Sequence, residues 1–450
     1  MGAWLALVAW LFIAPALAQQ DDAARLSTLE QQLGALSAEL AQLEDSKAIK
    51  RLQRAYGYYV DQKLADEIAT LFTEDATVEI GGMGVYVGRE RIAEFYQLLM
   101  DGPLDDGDIY NHMILQGVVH IGDDGDSANG RWRALIQIGV QEQAAVWAEG
   151  PYENEYVRDQ DGVWRFSKVH WYQTLAAPYS PGWHLEPWPL DAPSEELPPD
   201  RPPSEVYESF PGAYMTPFHY DNPATGQQSA ATAAATAPSA GTRNGDAAER
   251  LNAARTSLAA LDQRAMRIAD QNEIENLQRI FGFYFDKMLW AEVLDLFSDD
   301  ATVEIGASGV YFGKDSIRDY LYGLSGGVEG PLEGELFEHL QLQPIITIAD
   351  NGQTARGRWR TLIMTGTSGS GSGGSWGEGP YENEYVREDG VWKISKLRWY
   401  GTFIAPYEGG WLETDPEDLI DYSTGSGTTP DQPSTSAEPD FHYPNPGRSN

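Results

Sequence analysis

Glu149-Gly150-Pro151-Tyr152-Glu153-Asn154-Glu155-Tyr156-Val157-Arg158 occurs twice in this chain: the same ten residues return at Glu378 to Arg387. The neighbouring segments keep the same order. Gly130-Arg131-Trp132-Arg133 returns as Gly357-Arg358-Trp359-Arg360, and Asp75-Ala76-Thr77-Val78-Glu79-Ile80-Gly81 as Asp300-Ala301-Thr302-Val303-Glu304-Ile305-Gly306. The period is far longer than that of solenoid repeats, and each copy has the size of a domain. The chain is a tandem duplication, so differences between the copies report on which residues matter.

The bulk composition narrows the function classes. With 450 residues, two domains plus accessory segments is the natural expectation, and 42% hydrophobic residues supply real cores. Lys+Arg 31 against Asp+Glu 68 gives a net charge of −37, which repels nucleic acid and anionic lipid. The absence of cysteine excludes disulfides and thiolate metal sites. Met1 to Ala18 is a short apolar run ending Ala16-Leu17-Ala18, the pattern of a secretory signal peptide, although no Lys or Arg precedes it. A periplasmic or secreted protein, soluble after signal removal, is therefore expected.

Leucines at 26, 29, 33, 36, 40 and 43 alternate three and four apart, the spacing of a coiled-coil seam. Leu251, Ala254, Leu258, Leu261, Ala265 and Ile268 form a weaker version in the second copy. Spacing alone leaves two readings: a helix packed on its own domain or its twin, or a seam for oligomers. Helix is expected to continue through Tyr56-Gly57-Tyr58-Tyr59-Val60-Asp61, with a short helix over Leu64 to Phe72, strands from Ala76 and Gly84, and a third helix from Arg89 to Met100. Strands over Met113–Ile121, Ser127–Val140, Val146–Arg158 and Val163–Leu175 follow, the last two joined by an Asp161-Gly162 turn. Helices segregated against a meander define the α+β class. Residues 185–246 have the Pro, Ser, Ala and Thr content of a linker. Within it, Phe218-His219-Tyr220-Asp221-Asn222-Pro223 returns as Phe441-His442-Tyr443-Pro444-Asn445-Pro446, as a docking motif would.

The residues Tyr56 to Asp61, Leu71-Phe72-Thr73-Glu74-Asp75-Ala76, Gly88 with Ile92, His112 at a strand start, and Gly162-Val163-Trp164-Arg165-Phe166 carry a resemblance. With the order helix, helix, strand, strand, helix, strands, the chain resembles the SnoaL-like branch of the nuclear transport factor 2-like superfamily, similar to ketosteroid isomerases and scytalone dehydratases. The resemblance implies two cone-shaped domains, each with three N-terminal helices on a strongly curved antiparallel sheet around an apolar pocket. Leucine-patterned helical extensions would precede them. The division expected is signal 1–18, coiled-coil-like helix 19–46, first domain 47–184, linker 185–246, amphipathic helix 247–271, second domain 272–412 and tail 413–450. Relatives pairing through their sheets imply an internal pseudo-dimer, or a homo-oligomer through sheets or leucine helices.

Enzymes of that family withdraw a proton beside a carbonyl, or eliminate water, without a cofactor. They need a base and a donor for the developing enolate oxygen. The residues that the resemblance assigns to the site are Tyr56, Asp61 and His112. Tyr58 is a second phenol, three residues before Asp61 and on its helix face, and His170 lies where some relatives contact substrate. In the second copy Asp61 and His112 return as Asp286 and His339, and Tyr59 as Tyr284. Tyr56 and Tyr58 become Phe281 and Phe283, and His170 becomes Arg398. The first copy is thus the more enzyme-like; Tyr284, Asp286, His339 and Arg398 mark a second pocket that binds another ligand or supports its twin. Competing readings are plain: aromatics fill cores, Asp61 caps a helix junction or pairs with a lysine, and His112 is a satisfied core histidine. Glu153 and Glu155, alternating with Arg131 and Arg133, are better explained by cross-strand ion pairs than by a metal site, for which histidine spacing is lacking. Two functions remain: a cofactor-free lyase or isomerase acting on a small hydrophobic carbonyl compound, or a non-catalytic ligand-binding or assembly module.

Overall fold

The computed structural model describes residues 22–105, 107–220, 247–305, 309–330, 335–367, 373–413 and 441–448. The apolar start, Met1 to Ala18, lies outside them. No helix among the described residues is long and apolar enough to cross a membrane.

Each copy begins with a forty-residue helix, α1 (Asp22–Asp61) and α4 (Ala247–Asp286). Their N-terminal parts, up to Leu43 in α1 and up to Met266 in α4, belong to a compact unit of their own. There the two leucine-patterned helices pack on each other. Leu26, Leu40, Ala254 and Leu261 are buried, and Arg250 forks onto Glu30 at 2.7 and 3.2 Å. Of the two readings the spacing left, the twin helix is the partner inside the chain.

The other unit holds both sheet domains. In the first, α2 (Ala65–Ala69), β1 (Phe72–Ile80), β2 (Val85–Val87), α3 (Arg89–Met100), β3 (Asp108–Ile121), β4 (Ser127–Val140), β5 (Ala144–Arg158), β6 (Trp164–Trp171) and β7 (Leu175–Pro178) follow α1. The sheet order is β2-β1-β6-β5-β4-β3, with β7 also on β5. All neighbours are antiparallel except β1 and β6. The second domain repeats this with α5 (Trp290–Asp295), β8 (Phe297–Ile305), β9 (Gly309–Phe312), α6 (Gly313–Leu324), β10 (Glu335–Ile348), β11 (Thr354–Thr367), β12 (Gly373–Glu388), β13 (Val391–Trp399) and β14 (Phe403–Pro406). These are two α+β, cone-like domains.

Local chemistry sets the details. Helix α3 starts at Gly88, whose φ of 93° suits glycine, and buries Ile92, Phe95, Tyr96 and Met100 at helical spacing. Strand β3 starts earlier than the alternation predicts, so His112 lies inside the strand rather than at its start. A bulge between Leu115 and Val118, with Gln116 at φ 50°, bends β3; Gln343 at φ 52° does the same to β10.

The repeated ten residues lock helix to sheet. Asn154 Nδ2 and the Tyr156 hydroxyl donate to Gln53 Oε1 on α1 at 2.9 and 2.7 Å, and Trp132 Nε1 donates to Tyr156 at 2.8 Å. Gln278, Asn383, Tyr385 and Trp359 repeat this network in the second domain. Buried polar groups that satisfy one another tolerate little substitution. Glu153 pairs with Arg131 and Glu382 with Arg358, the cross-strand ion pairs that the alternation predicts. Residues 185–220, linker-like in composition, lie against the first domain: Tyr86 donates to the Leu197 carbonyl and Ser204 to Glu79.

The two domains meet at two main contacts. The bulged face of the second sheet lies on α1 of the first domain. Tyr58 donates to the Gln343 carbonyl at 2.9 Å, Arg54 donates to the Pro344 carbonyl at 2.8 Å, and Gln343 donates back to the Arg54 carbonyl at 3.1 Å. At a second contact, Trp411 enters a slot formed by Ile109, Gly139, Ala145, Trp147 and Tyr179, and donates to the Ile138 carbonyl at 3.0 Å. A Cβ on Gly139 would collide with the Trp411 ring. The internal pairing joins sheet to helix at Tyr58 and also sheet to sheet, as expected of a pseudo-dimer through sheets. There Trp147 meets Trp376 at 6.0 Å, and the Ile114 N–H donates to Gln343 Oε1 at 2.9 Å. Trp411→Ala is expected to cost about 3–5 kcal/mol in chemical denaturation, the usual range for a buried tryptophan.

Candidate active site

Helix α1 carries Tyr56 and Asp61 against β3, within which His112 sits. The His112 imidazole is buried in a shell of phenols. Its Nε2 shares a 2.8 Å hydrogen bond with the Tyr152 hydroxyl. Tyr152 and Tyr56 hydroxyls are 3.3 Å apart, and Tyr56 continues to Tyr96 at 2.9 Å. Phe166 closes one side, its ring 5.6 Å from Tyr56. Burial pushes the imidazole down to about 3, so it is neutral at physiological pH. Burial also raises the Tyr56, Tyr96 and Tyr152 phenols, and Tyr110 beside them to about 12. All four hydroxyls therefore stay protonated and available as donors.

Asp61 does not orient the imidazole. Its Oδ1 accepts the backbone N–H of His112 at 2.6 Å, pinning the strand to the helix end. Its Oδ2 is ion-paired with Arg360 from the second domain, and Arg360 also reaches Glu378 at 3.3 Å. Tyr58 shares the Asp61 helix face, as its spacing predicts, but that face meets the second domain. Its ring lies under Arg358 and Arg360, 4.7 and 5.3 Å from the two guanidinium carbons. Tyr58 is thus outside the imidazole cluster. His170 is outside it too. It sits on the other face of β6, stacked on Tyr172 at 3.8 Å, with Glu79 3.7 Å away. Burial lowers it to about 3.

The second domain keeps the frame and loses the hydroxyls. His339 donates its backbone N–H to Asp286 at 2.6 Å, and its ring lies 3.7 Å from the same carboxylate. Phe285 and Phe337 surround the ring at 4.7 and 4.5 Å. Tyr56, Tyr96 and Tyr110 correspond to Phe281, Leu321 and Phe337; only Tyr152 keeps its phenol, as Tyr381. Tyr284 is half-buried at the margin of this core. Arg398 repeats His170, facing away and pairing with Glu304.

Sequence reasoning missed Tyr96, Tyr110 and Tyr152. Tyr152 lay in the repeated stretch, where the charged residues drew attention, and alternation along β5 already set it opposite Glu153. Tyr96 and Tyr110 had one available signal, their replacement in the second copy by Leu321 and Phe337. Among the described residues no cluster of three or more His, Asp or Glu could hold a metal ion.

Comparison with known proteins agrees with this architecture. The SnoaL-like domain model matches residues 41–170 and 266–398, together more than half of the chain. The chain belongs to the SnoaL-like domain family. An uncharacterised protein of Mycobacterium tuberculosis (strain H37Rv) is 28% identical over 134 residues, spanning 28% of this chain and 83% of its own. Similar solved structures include a hexachlorocyclohexane dehydrochlorinase of Novosphingobium barchaimii, with 22% identity, 32% of this chain and 92% of that one covered, and a TM-score of 0.28. A nuclear transport factor 2-like protein with a cystatin-like fold from Novosphingobium aromaticivorans has 24% identity, 31% and 87% coverage, and a TM-score of 0.25.

Two outcomes follow from the electrostatics. Arg360→Met leaves the Asp61 and Glu378 carboxylates buried without their cation and is expected to cost about 3–5 kcal/mol in chemical denaturation. Asp61→Asn combined with Arg360→Met should cost less than the sum of the two single changes. His112, depressed when folded, takes up its proton in the unfolded state first. Its presence therefore lowers stability as pH falls from about 6.5 towards 3, by about 2 kcal/mol between pH 6.5 and 5. His112→Gln should flatten the measured stability–pH slope there by close to one proton, with His170, and also His339 and His120, which burial lowers too, keeping the remainder.

Proposed function

We propose that the first domain is a cofactor-independent lyase or isomerase that withdraws a proton from a small apolar carbonyl compound. The observation that carries this reading is the His112–Tyr152–Tyr56–Tyr96 hydrogen-bonded cluster, present in one domain and stripped of two of its three phenols in the other. In this scheme the substrate carbonyl replaces the imidazole as acceptor of the Tyr152 hydroxyl. That frees Nε2 to take the proton from the adjacent carbon, and the C–H electron pair becomes the enolate. A neutral imidazole with so low a pKa is a weak base in the empty site. The enolate forming beside it raises its proton affinity, because opposite charges in a desolvated site stabilise one another strongly. The phenols donate to the enolate oxygen, a role that requires them to stay protonated. The second domain supports the first, holding Asp61 through Arg360. Export of the chain belongs to the same proposal.

One observation favours a second reading. Asp61 is spent on a backbone amide and on Arg360, so no carboxylate assists the imidazole. A pocket that binds a small hydrophobic ligand without chemistry would look the same.

Proton exchange separates the two. The full chain is incubated in D2O with small apolar ketones and β-hydroxy ketones, and α-deuterium incorporation is read by mass spectrometry. The enzyme reading expects exchange that His112→Ala lowers by about 10²–10⁴-fold, the usual contribution of a general base. Tyr152→Phe should lower it less, and His339→Ala leave it unchanged. A compound that stabilises the first domain thermally yet never exchanges supports the binding reading. Equal losses from His112→Ala and His339→Ala would sink the asymmetry between domains.

A further inference from the structure

The Phe218-His219-Tyr220 motif and its repeat, Phe441-His442-Tyr443, dock on the two sheets in the same way, and the first copy carries one histidine more than the docking uses. His219 Nδ1 lies 2.8 Å from Glu153 Oε2, and His442 Nδ1 lies 2.8 Å from Glu382 Oε2. In both copies the carboxylate also holds an arginine of the neighbouring strand, Arg131 or Arg358. That guanidinium stands over the motif phenylalanine, 4.1 Å from Phe218 and 4.6 Å from Phe441. These contacts leave the other ring nitrogen, Nε2, unused. On His442 it is buried without a hydrogen-bond partner among the described residues. On His219 it is met at 3.0 Å by Nδ1 of His120, on β3. The residue equivalent to His120 in the second copy is Thr347. The motif therefore docks without a second imidazole, and His120 is an addition of the first copy.

A carboxylate that accepts the Nδ1 proton fixes the His219 tautomer, so the Nε2 lone pair is turned towards His120. This is how a carboxylate behind an imidazole prepares it to ligate a metal ion. The His219 and Glu153 side chains are only 12% and 13% exposed, so the pair is held firmly. His120 is the exposed member and its ring has room to adjust. Burial and the neighbouring imidazole both lower the His120 pKa, which keeps the ring neutral and able to ligate at physiological pH. Two imidazole nitrogens, each about 2.0–2.1 Å from one ion, stand about 2.9 Å apart at a right angle and about 3.3 Å apart at the tetrahedral angle. The 3.0 Å between His120 and His219 falls inside that interval. Imidazole pairs suit late first-row divalent ions, whereas calcium and magnesium take oxygen ligands.

We propose that His120 Nδ1 and His219 Nε2 form a two-imidazole site for a late first-row divalent ion such as Zn2+ or Cu2+, with Glu153 holding the His219 ring from behind. The ion takes the place of the hydrogen that the two nitrogens share. The His120 proton then resides on Nε2, the tautomer that leaves Nδ1 free to ligate. Two protein ligands do not enclose an ion, and no cluster of three or more His, Asp or Glu is available among the described residues. Water fills the remaining positions, and the ion exchanges readily. Once bound, it ties the Phe218–Tyr220 segment to β3 where a single hydrogen bond ties it otherwise.

A chain of net charge −37 gathers cations without any built site, so the test compares ions and variants. The full chain, stripped with a chelator, is titrated at physiological ionic strength with Zn2+ and with Ca2+ by calorimetry, and with Cu2+ by electron paramagnetic resonance. Saturable Zn2+ binding that Ca2+ does not reproduce is expected, with a Cu2+ signal split by two nitrogens. His120→Thr, which borrows the residue of the second copy, and His219→Gln should each weaken Zn2+ binding at least about tenfold and leave one nitrogen on the Cu2+. Glu153→Gln should weaken it about 10–100-fold, the usual effect of losing the group behind a ligand. His184→Ala, at an exposed histidine outside the site, should change nothing. Unchanged circular dichroism and thermal transition of the metal-free His120→Thr chain show that the fold is intact. Zn2+ binding no stronger than that of Ca2+ overturns the proposal, since surface carboxylates explain it. So does Zn2+ binding that survives His120→Thr, or a wild-type Cu2+ signal with fewer than two nitrogens.

Discussion

The buried Arg360 guanidinium, set between Asp61 and Glu378 with Tyr58 against its face, is the contact on which the arrangement of this protein depends. Charges taken out of water are tolerated only where partners meet them with good geometry. Here the partners come from both domains. Arg360 stands on β11 of the second domain, and Asp61 ends α1 of the first and holds the His112 strand by its backbone. The domain interface and the candidate site therefore share one carboxylate. A shift of the second domain would reach the imidazole through one residue.

The duplication has kept its scaffold and changed its contents. Both copies hold helix to sheet through the Gln–Asn–Tyr–Trp network, and both hold a histidine strand to an aspartate at the helix end. What differs is the lining. The first copy surrounds its imidazole with phenols, and the second sets Phe285 and Phe337 against its own, keeping one phenol as Tyr381. The hydroxyls of the first copy bond to one another and to the imidazole, contacts that phenyl rings cannot make. The same asymmetry appears on the surface, where residues buried in one copy face solvent in the other.

Buried histidines set the acid behaviour. His112 and His170 are both held neutral by desolvation, one in the cluster and one under residues that pass from the first domain towards the second. With so many carboxylates on the surface, acid relieves charge repulsion while it works against these two groups and against His339, which burial also depresses. The two effects oppose each other over the same range of pH.

The sequence by itself determined the duplication, the order of helices and strands, the SnoaL-like family and the residues equivalent between copies, because hydrophobic periodicity and turn chemistry are local and are written in order. It also located Tyr56 and His112 in one site, through the family resemblance. It did not place Tyr152, Tyr96 and Tyr110 with them, since a phenol in a strand or helix reads as core until its hydroxyl partners are known. Nor did it show that Tyr58 and Asp61 turn to the second domain, or that His170 and Arg398 face away from the His112 and His339 clusters. Those outcomes depend on which face of α1 another domain covers and on how β6 and β13 pair with their neighbours. Contacts between residues some three hundred positions apart, such as Asp61 with Arg360, have no local signature. Only the packed structure, in which every buried charge must find a partner, decided them.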